Sequence, residues 1–326
     1  MRTGDFEQLS RGGWLSTAVL LILLAAAASH AGPFDQDARD FVFCFSVSGY
    51  EQETWLAEPS ALALDERAGL MYVADAKADS VAVFSLQGVP KSQSASKGEV
   101  KAPIGLAVNK EGNIYVSENE GGPIKIINSK GEASILELPT SGEPAKPGRM
   151  AVDRDGNLYV VDGAACRICV FDKERKLKLT LGGRGNKRGE FKMLQDVAVD
   201  RQGRIYALDS AGVPVQVFDK KGKYIYRFGF RGDGEEDISS PAGLFVDQND
   251  QIWVVDRGRH CLKVFDRSGS FLRKFGKYGV AEGSLFQPID AEMDRFGRVY
   301  VLEAGARRLQ VFSLSRPFEP FAPAGL

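Results

Sequence analysis

A five-residue run recurs six times along the chain: Met71-Tyr72-Val73-Ala74-Asp75, Ile114-Tyr115-Val116-Ser117-Glu118, Leu158-Tyr159-Val160-Val161-Asp162, Ile205-Tyr206-Ala207-Leu208-Asp209, Ile252-Trp253-Val254-Val255-Asp256 and Val299-Tyr300-Val301-Leu302-Glu303. Its aromatic positions are 43, 44, 47, 47 and 47 residues apart. A period in the forties, carried by β-branched and aromatic residues, predicts a propeller with one four-stranded blade per repeat. Repetition therefore overrides the two domains that 326 residues would suggest at ~150 residues each. With 44% hydrophobic and 26% charged residues the chain can bury a core, which excludes a disordered or collagen-like chain.

Each copy parses into strands. An inner strand of the form Pro-x-Gly-Leu-Ala-Val ends in Asp65, Asn109, Asp153, Asp200, Asp247 or Asp294, and a tight turn follows. Gly112, Gly156, Gly203 and Gly297 supply the positive φ of that turn; Gly69 comes one residue later, and Asp250 replaces glycine in copy five. The second strand is apolar throughout, as a strand covered on both faces must be. The third alternates, as in Val215-Gln216-Val217-Phe218 and Leu262-Lys263-Val264-Phe265, which predicts a place nearer the rim. Tyr224–Phe228 and Phe271–Phe275 are fourth strands, whereas in copy one a Ser- and Lys-rich stretch from Gly88 to Lys101 stands in place of one.

The last copy stops after its third strand, Leu309-Gln310-Val311-Phe312, and the Pro-rich tail 316–326 cannot supply a fourth. The run from Phe41 to Gly49 has the fourth-strand pattern and leads to Pro59 as other fourth strands lead to theirs. The expectation is an all-β, six-bladed propeller of four-stranded antiparallel blades over 36–315, closed by an N-terminal strand that completes the last blade.

Residues 1–31 read as a signal peptide. An apolar stretch from Trp14 to Ser29 follows Arg2 and Arg11, and Ser29 and Ala31 are the small residues before a cleavage site. The stretch falls short of the ~20 residues of a spanning helix. Asp5 and Glu7 keep an uncleaved anchor open. The domain is expected outside the cytoplasm, periplasmic or extracellular, with no membrane insertion once the leader is removed. That compartment permits disulfides, yet the spacing of Cys44, Cys166, Cys169 and Cys261 leaves their pairing undecided. Cys166-Arg-Ile-Cys169 precedes Val170 rather than His, so it is no haem-attachment motif, and no second such pair completes a zinc site.

Repeats of Pro-x-Gly-Leu-Ala-Val-Asp, Gly-x-Ile-Tyr-Val-Val-Asp, Arg-x-x-Val-Phe-Asp and Phe-Gly-x-x-Gly resemble NHL repeats over nearly the whole mature chain, copy five most of all. The resemblance implies the six-bladed architecture and leaves the chemistry open, since NHL-type propellers include protein-binding, RNA-binding and enzymatic members. Amidating lyases of this fold hold a metal with several histidines, but only His30 and His260 occur here. RNA-binding relatives need a basic face, whereas 42 Lys+Arg against 43 Asp+Glu give this chain a net charge of -1, so no nucleic-acid partner is expected.

Carboxylates shared by all copies, Asp75, Glu118, Asp162, Asp209, Asp256 and Glu303, are expected to satisfy turn amides and neighbouring Arg groups. Copies differ at two inner-strand positions. The first holds Ala61, Gly105, Arg149, Asp196, Gly243 and Asp290, and the second Ala63, Ala107, Ala151, Ala198, Phe245 and Glu292. Arg149, Asp196, Asp290 and Glu292 thus place charge near a crowded axis, where it must be paired or solvated. They are the candidate ligand-binding residues; mutual ion pairing that closes the ring is the competing role. No catalytic constellation and no resident metal are assigned. On the loop face Arg184, Lys187, Arg188 and Lys192 adjoin Asp233, Glu235, Glu236 and Asp237, with Arg257, Arg259, Arg307 and Arg308 in shorter loops, a charge-divided surface suited to docking. The leading expectation is an exported, monomeric, non-enzymatic scaffold that binds a protein or cell-envelope ligand through that face. The alternative is a lactonase- or lyase-like hydrolase using the axial carboxylates and a divalent cation, of the kind glucono-lactonase-like propellers hold in such a channel.

Overall fold

The computed structural model describes residues 41–48, 56–94, 100–140 and 142–314. The segment 1–31, expected to be a signal peptide, and the Pro-rich stretch 316–326 lie outside the described residues. Twenty-four strands form six sheets of four, each antiparallel, with no helix among the described residues. The innermost strands of blades one to six are Pro59–Asp65, Pro103–Val108, Pro147–Val152, Leu194–Val199, Pro241–Val246 and Pro288–Met293. They neighbour one another around the axis in chain order, and the last meets the first.

Closure is by the segment Phe41–Ser48, which pairs antiparallel with Arg308–Leu314 and so occupies the fourth place in blade six. Aromatic packing fixes it there: the Phe41 ring lies 4.5 Å from Phe275, and Phe43 meets Phe312 edge-on at 6.0 Å. Phe45 reaches toward blade one, where a Cβ on Gly88 would come within 2.6 Å of its ring; only glycine fits there, and its φ is +83°. Joining the two ends of the chain in one sheet lets every blade pack between two neighbours, so its apolar faces are covered.

Two expectations about the strands need correction. Blade one does have a fourth strand, Pro90–Ser94, paired with Val81–Phe84 despite its Ser-, Lys- and Gln-rich sequence. An outermost strand needs backbone partners on one side only, and Pro90, without an N–H, stands at its first position. The third strands do lie third from the axis, but their alternation does not expose them: in blades four and five all their residues are buried, Gln216 and Lys263 included. Their polar side chains turn toward the loop that enters the blade rather than toward solvent. Gln216 accepts from Gly189 N at 2.9 Å and donates to Glu190 O at 2.7 Å, Gln310 accepts from Gly283 N and donates to Ser284 O, and Lys263 Nζ donates to Glu235 O and Asp237 O.

The inner hairpin turns are built alike. Asp153, Asp200 and Asp294 each cap turn amides and accept the hydroxyl of the blade's central tyrosine, Tyr159, Tyr206 or Tyr300; Asp247 accepts from Trp253 Nε1 at 2.9 Å. The recurring aromatic residue thus ties the second strand to the turn before it.

Candidate functional site

In all six blades the register of the innermost strand slips just after its first residue. Such a bulge bends the strand and re-aims the side chain beside it. The residues beyond the slip include Ala61, Gly105, Asp196, Gly243 and Asp290, and in blade three the slip spans Gly148 and Arg149. The six therefore form one ring of positions around the axis. Small residues at three of them leave the space that the charged ones fill: a Cβ on Gly243 would stand 3.0 Å from Ile289 O and 3.3 Å from Asp290 Oδ1.

Arg149 fills that space. From blade three its guanidinium crosses to blade six, with Nη1 2.6 Å from Asp290 Oδ2, and Nη2 donates to Ile289 O at 3.0 Å and to Ser60 O of blade one at 3.1 Å. Asp196 Oδ2 lies 3.9 Å from the same nitrogen. Both carboxylates are also fixed from outside. Asp196 accepts from Val197 N at 2.8 Å and from Leu244 N of blade five at 3.0 Å, and Asp290 accepts from Ala291 N at 3.0 Å and from Leu62 N of blade one at 2.8 Å. Five blades are thereby stitched together at one level.

Glu292 does not join this network. It stands two residues further along the innermost strand of blade six and lines an axial cavity of about 240 Å³ with Arg149, Asp196, Asp290 and the small residues Ala63, Ala107, Ala151 and Ala198. Its carboxyl has no hydrogen bond or ion pair among the described residues. Burial, reinforced by the charges of Asp290, Glu66 and Asp196, raises its pKa well above the usual carboxylate range. Burial also pushes the Asp196 carboxyl up to about 7, against the pull of Arg149. A second cavity of about 370 Å³, between the hairpin turns of the opposite face, shares Val152, Val199, Val246 and Met293 with the first.

These residues do not fit a divalent cation. All four oxygens of Asp196 and Asp290 already accept backbone amides, and a guanidinium stands against them where a metal would need to be. Glu292 alone is left to ligate, and no group of three His, Cys, Asp or Glu side chains suited to a metal occurs among the described residues.

The strand-ending acids serve the loops. Asp209 accepts four amides, from Lys192, Met193, Ala211 and Gly212, while Asp256 accepts from Ser239, Ser240 and Arg259. Asp162 pairs with Arg167, and Glu303 with Arg308. Arg308 is accordingly buried and is not part of the charged face; its other donors go to carbonyls of Val280, Ala281 and Ser284. His260 is likewise occupied, its Nδ1 accepting from Gln287 N at 2.9 Å and its ring stacked on Phe286. All four cysteines are free, and Cys166, Cys169 and Cys261 are buried.

The loops that enter blades four, five and six share one face. Met193, Phe230, Tyr278 and Val280 are large, apolar and exposed there. No residue pattern marked them beforehand, since they lie outside the repeated positions. Charge is divided around them: Lys187, Arg188 and Lys192 on one loop, Asp233, Glu235 and Glu236 on the next.

The fold is that of a six-bladed β-propeller. A family model described as a 6-bladed beta-propeller matches residues 202–262. Among solved structures the chain is similar to a gluconolactonase of Xanthomonas campestris at 17% identity, over 79% of this chain and 86% of that one, with a TM-score of 0.63. It is similar to the virginiamycin B lyase of Staphylococcus aureus at 15% identity, over 80% and 85%, with a TM-score of 0.58. A streptogramin B lyase superimposes at 13% identity over 84% and 98%, with a TM-score of 0.61. At these identities the likeness is one of fold. No curated protein matches the sequence.

Proposed function

We propose that the protein is an exported, NHL-type propeller that acts as a non-enzymatic scaffold and binds a protein or cell-envelope ligand through its loop face. The observation that carries this reading is the contrast between the two surfaces. At the axis Arg149, Asp196 and Asp290 are spent on one another and on the backbone, whereas on the loop face four large apolar side chains stand exposed between charges of both signs. Exposed apolar residues gathered on the loops of a rigid scaffold mark recognition surfaces. Chemical crosslinking in an envelope extract tests it. One partner should be captured by the wild type, lost with Phe230→Ser/Tyr278→Ser, and retained with Glu292→Gln.

A second reading is a hydrolase or lyase working in the axial cavity. The unpaired carboxyl of Glu292, its pKa raised by burial, favours it as a proton donor, and the names of the similar structures point to enzymes rather than to scaffolds. On this reading the reaction proceeds without a divalent cation held by Asp196 and Asp290. Turnover of a lactone or cyclic depsipeptide that Glu292→Gln abolishes would establish it; absence of turnover by both proteins, with partner capture as above, leaves the scaffold.

A further inference from the structure

We infer that a groove over blade four takes an acidic peptide segment carrying one bulky apolar residue; this rests on the loop-face reading above. The groove, about 440 Å³, lies between the loop containing Lys187 and Lys192, the turn from Ala211 to Pro214, and the segment Gly229 to Arg231. Val213 and Pro214 are among its apolar lining residues, and Phe230, also lining it, is 67% exposed.

Charge selects the occupant. Lys187, Lys192 and Arg227 line the groove, are exposed, and have no ion pair among the described residues. Arg231 closes one side with its guanidinium fixed by donation to Ser239 O at 2.8 Å and to Ser210 O, so its charge is kept and its position set. The two acids of the groove are committed to backbone amides: Glu190 accepts from Lys187 N at 3.0 Å, and Asp209 accepts its four. Acids of the neighbouring loop turn toward blade five, where Asp233 lies 3.5 Å from Arg259 and Glu235 lies 3.9 Å from Lys274. The groove therefore holds four cations against two carboxylates, a net positive charge, beside an aromatic ring and the apolar Val213 and Pro214. Carboxylates of a peptide answer the first, and an aromatic or branched side chain answers the second. A flat anionic bilayer cannot reach a concave floor, and the chain's net charge of -1 provides no wider basic surface to hold one.

A random dodecapeptide library panned against the full chain tests this. Enriched peptides should carry Asp or Glu beside an aromatic or branched residue. Their binding should weaken about tenfold in Lys187→Glu/Lys192→Glu, fall with added salt, and persist in Glu235→Lys/Glu236→Lys; melting temperatures confirm that these surface variants fold. Enrichment without acidic residues, or acidic peptides that bind the Lys187→Glu/Lys192→Glu protein unchanged, would overturn it. Binding to vesicles of phosphatidylcholine and phosphatidylglycerol in equal parts, lost in the same variant while peptides fail to bind, would overturn it in favour of a lipid surface. If a partner crosslinked from position 230 is retained by Lys187→Glu/Lys192→Glu, the loop-face reading stands and this inference falls; if position 230 yields no partner, the reading itself falls.

Discussion

Arg149 Nη1 lies 2.6 Å from Asp290 Oδ2, although the two residues belong to blades three apart around the ring. The pair runs across the axis, and through the amides that Asp290 and Asp196 accept it couples blades one, three, four, five and six. Removing the guanidinium leaves two buried carboxylates facing each other. Arg149→Met should therefore cost about 3–5 kcal/mol in urea unfolding, with Arg149→Lys between it and the wild type because Lys cannot reach both carbonyls and both acids at once. A loss below ~1 kcal/mol, the size of an exposed pair, would show that the axis does not hold the ring.

Glu292 predicts a pH dependence of opposite sign to the usual carboxylate. Its folded pKa is raised, while in the unfolded chain it titrates near ~4.3. Below that pH both states are protonated and the group favours neither. As pH rises the unfolded chain ionises it and the folded protein does not, so stability falls until the folded pKa is passed. Glu292→Gln should match the wild type below the unfolded carboxylate pKa and become progressively more stable than it as pH rises above that value, measured by denaturant midpoints. Equal pH profiles would mean that Glu292 is solvated in the cavity.

Asp209 ties the loop that enters blade four, through the amides of Lys192 and Met193, to its own following turn, through those of Ala211 and Gly212. Its replacement by Ala leaves those donors without an acceptor, at roughly 1.5–3 kcal/mol for hydrogen bonds to a charged group. Hydrogen exchange should quicken at Lys192, Met193, Ala211 and Gly212 and remain unchanged at the amides of blade one. Uniform quickening across all blades would instead indicate global unfolding.

The architecture was legible because it rests on recurrence: six aromatic strands, six inner-strand turns, and one missing fourth strand that Phe41–Ser48 supplies. The axial residues were legible for the converse reason, as departures from small residues at repeated positions. Arg149, Asp196 and Asp290 come together at the ring, while Glu292, of the same sequence pattern, stays apart, because its position faces the cavity beyond the reach of the Arg149 network. Alternation misled in the third strands. Gln216, Lys263 and Gln310 look solvent-facing by period, yet each donates to a backbone carbonyl of the loop that enters its own blade. Phe230 and Tyr278 carried no signal at all, since a loop side chain's exposure depends on how the loop folds back.

Phe230 and Phe296 are the same residue, 67% and 62% exposed, on opposite faces of the propeller. Replacing each in turn by the photoreactive benzoyl-phenylalanine and irradiating the producing cells compares the two faces with chemistry and exposure matched. The account predicts a discrete crosslinked partner from position 230 and none from position 296. Crosslinking from position 296 alone, or from neither, would contradict it.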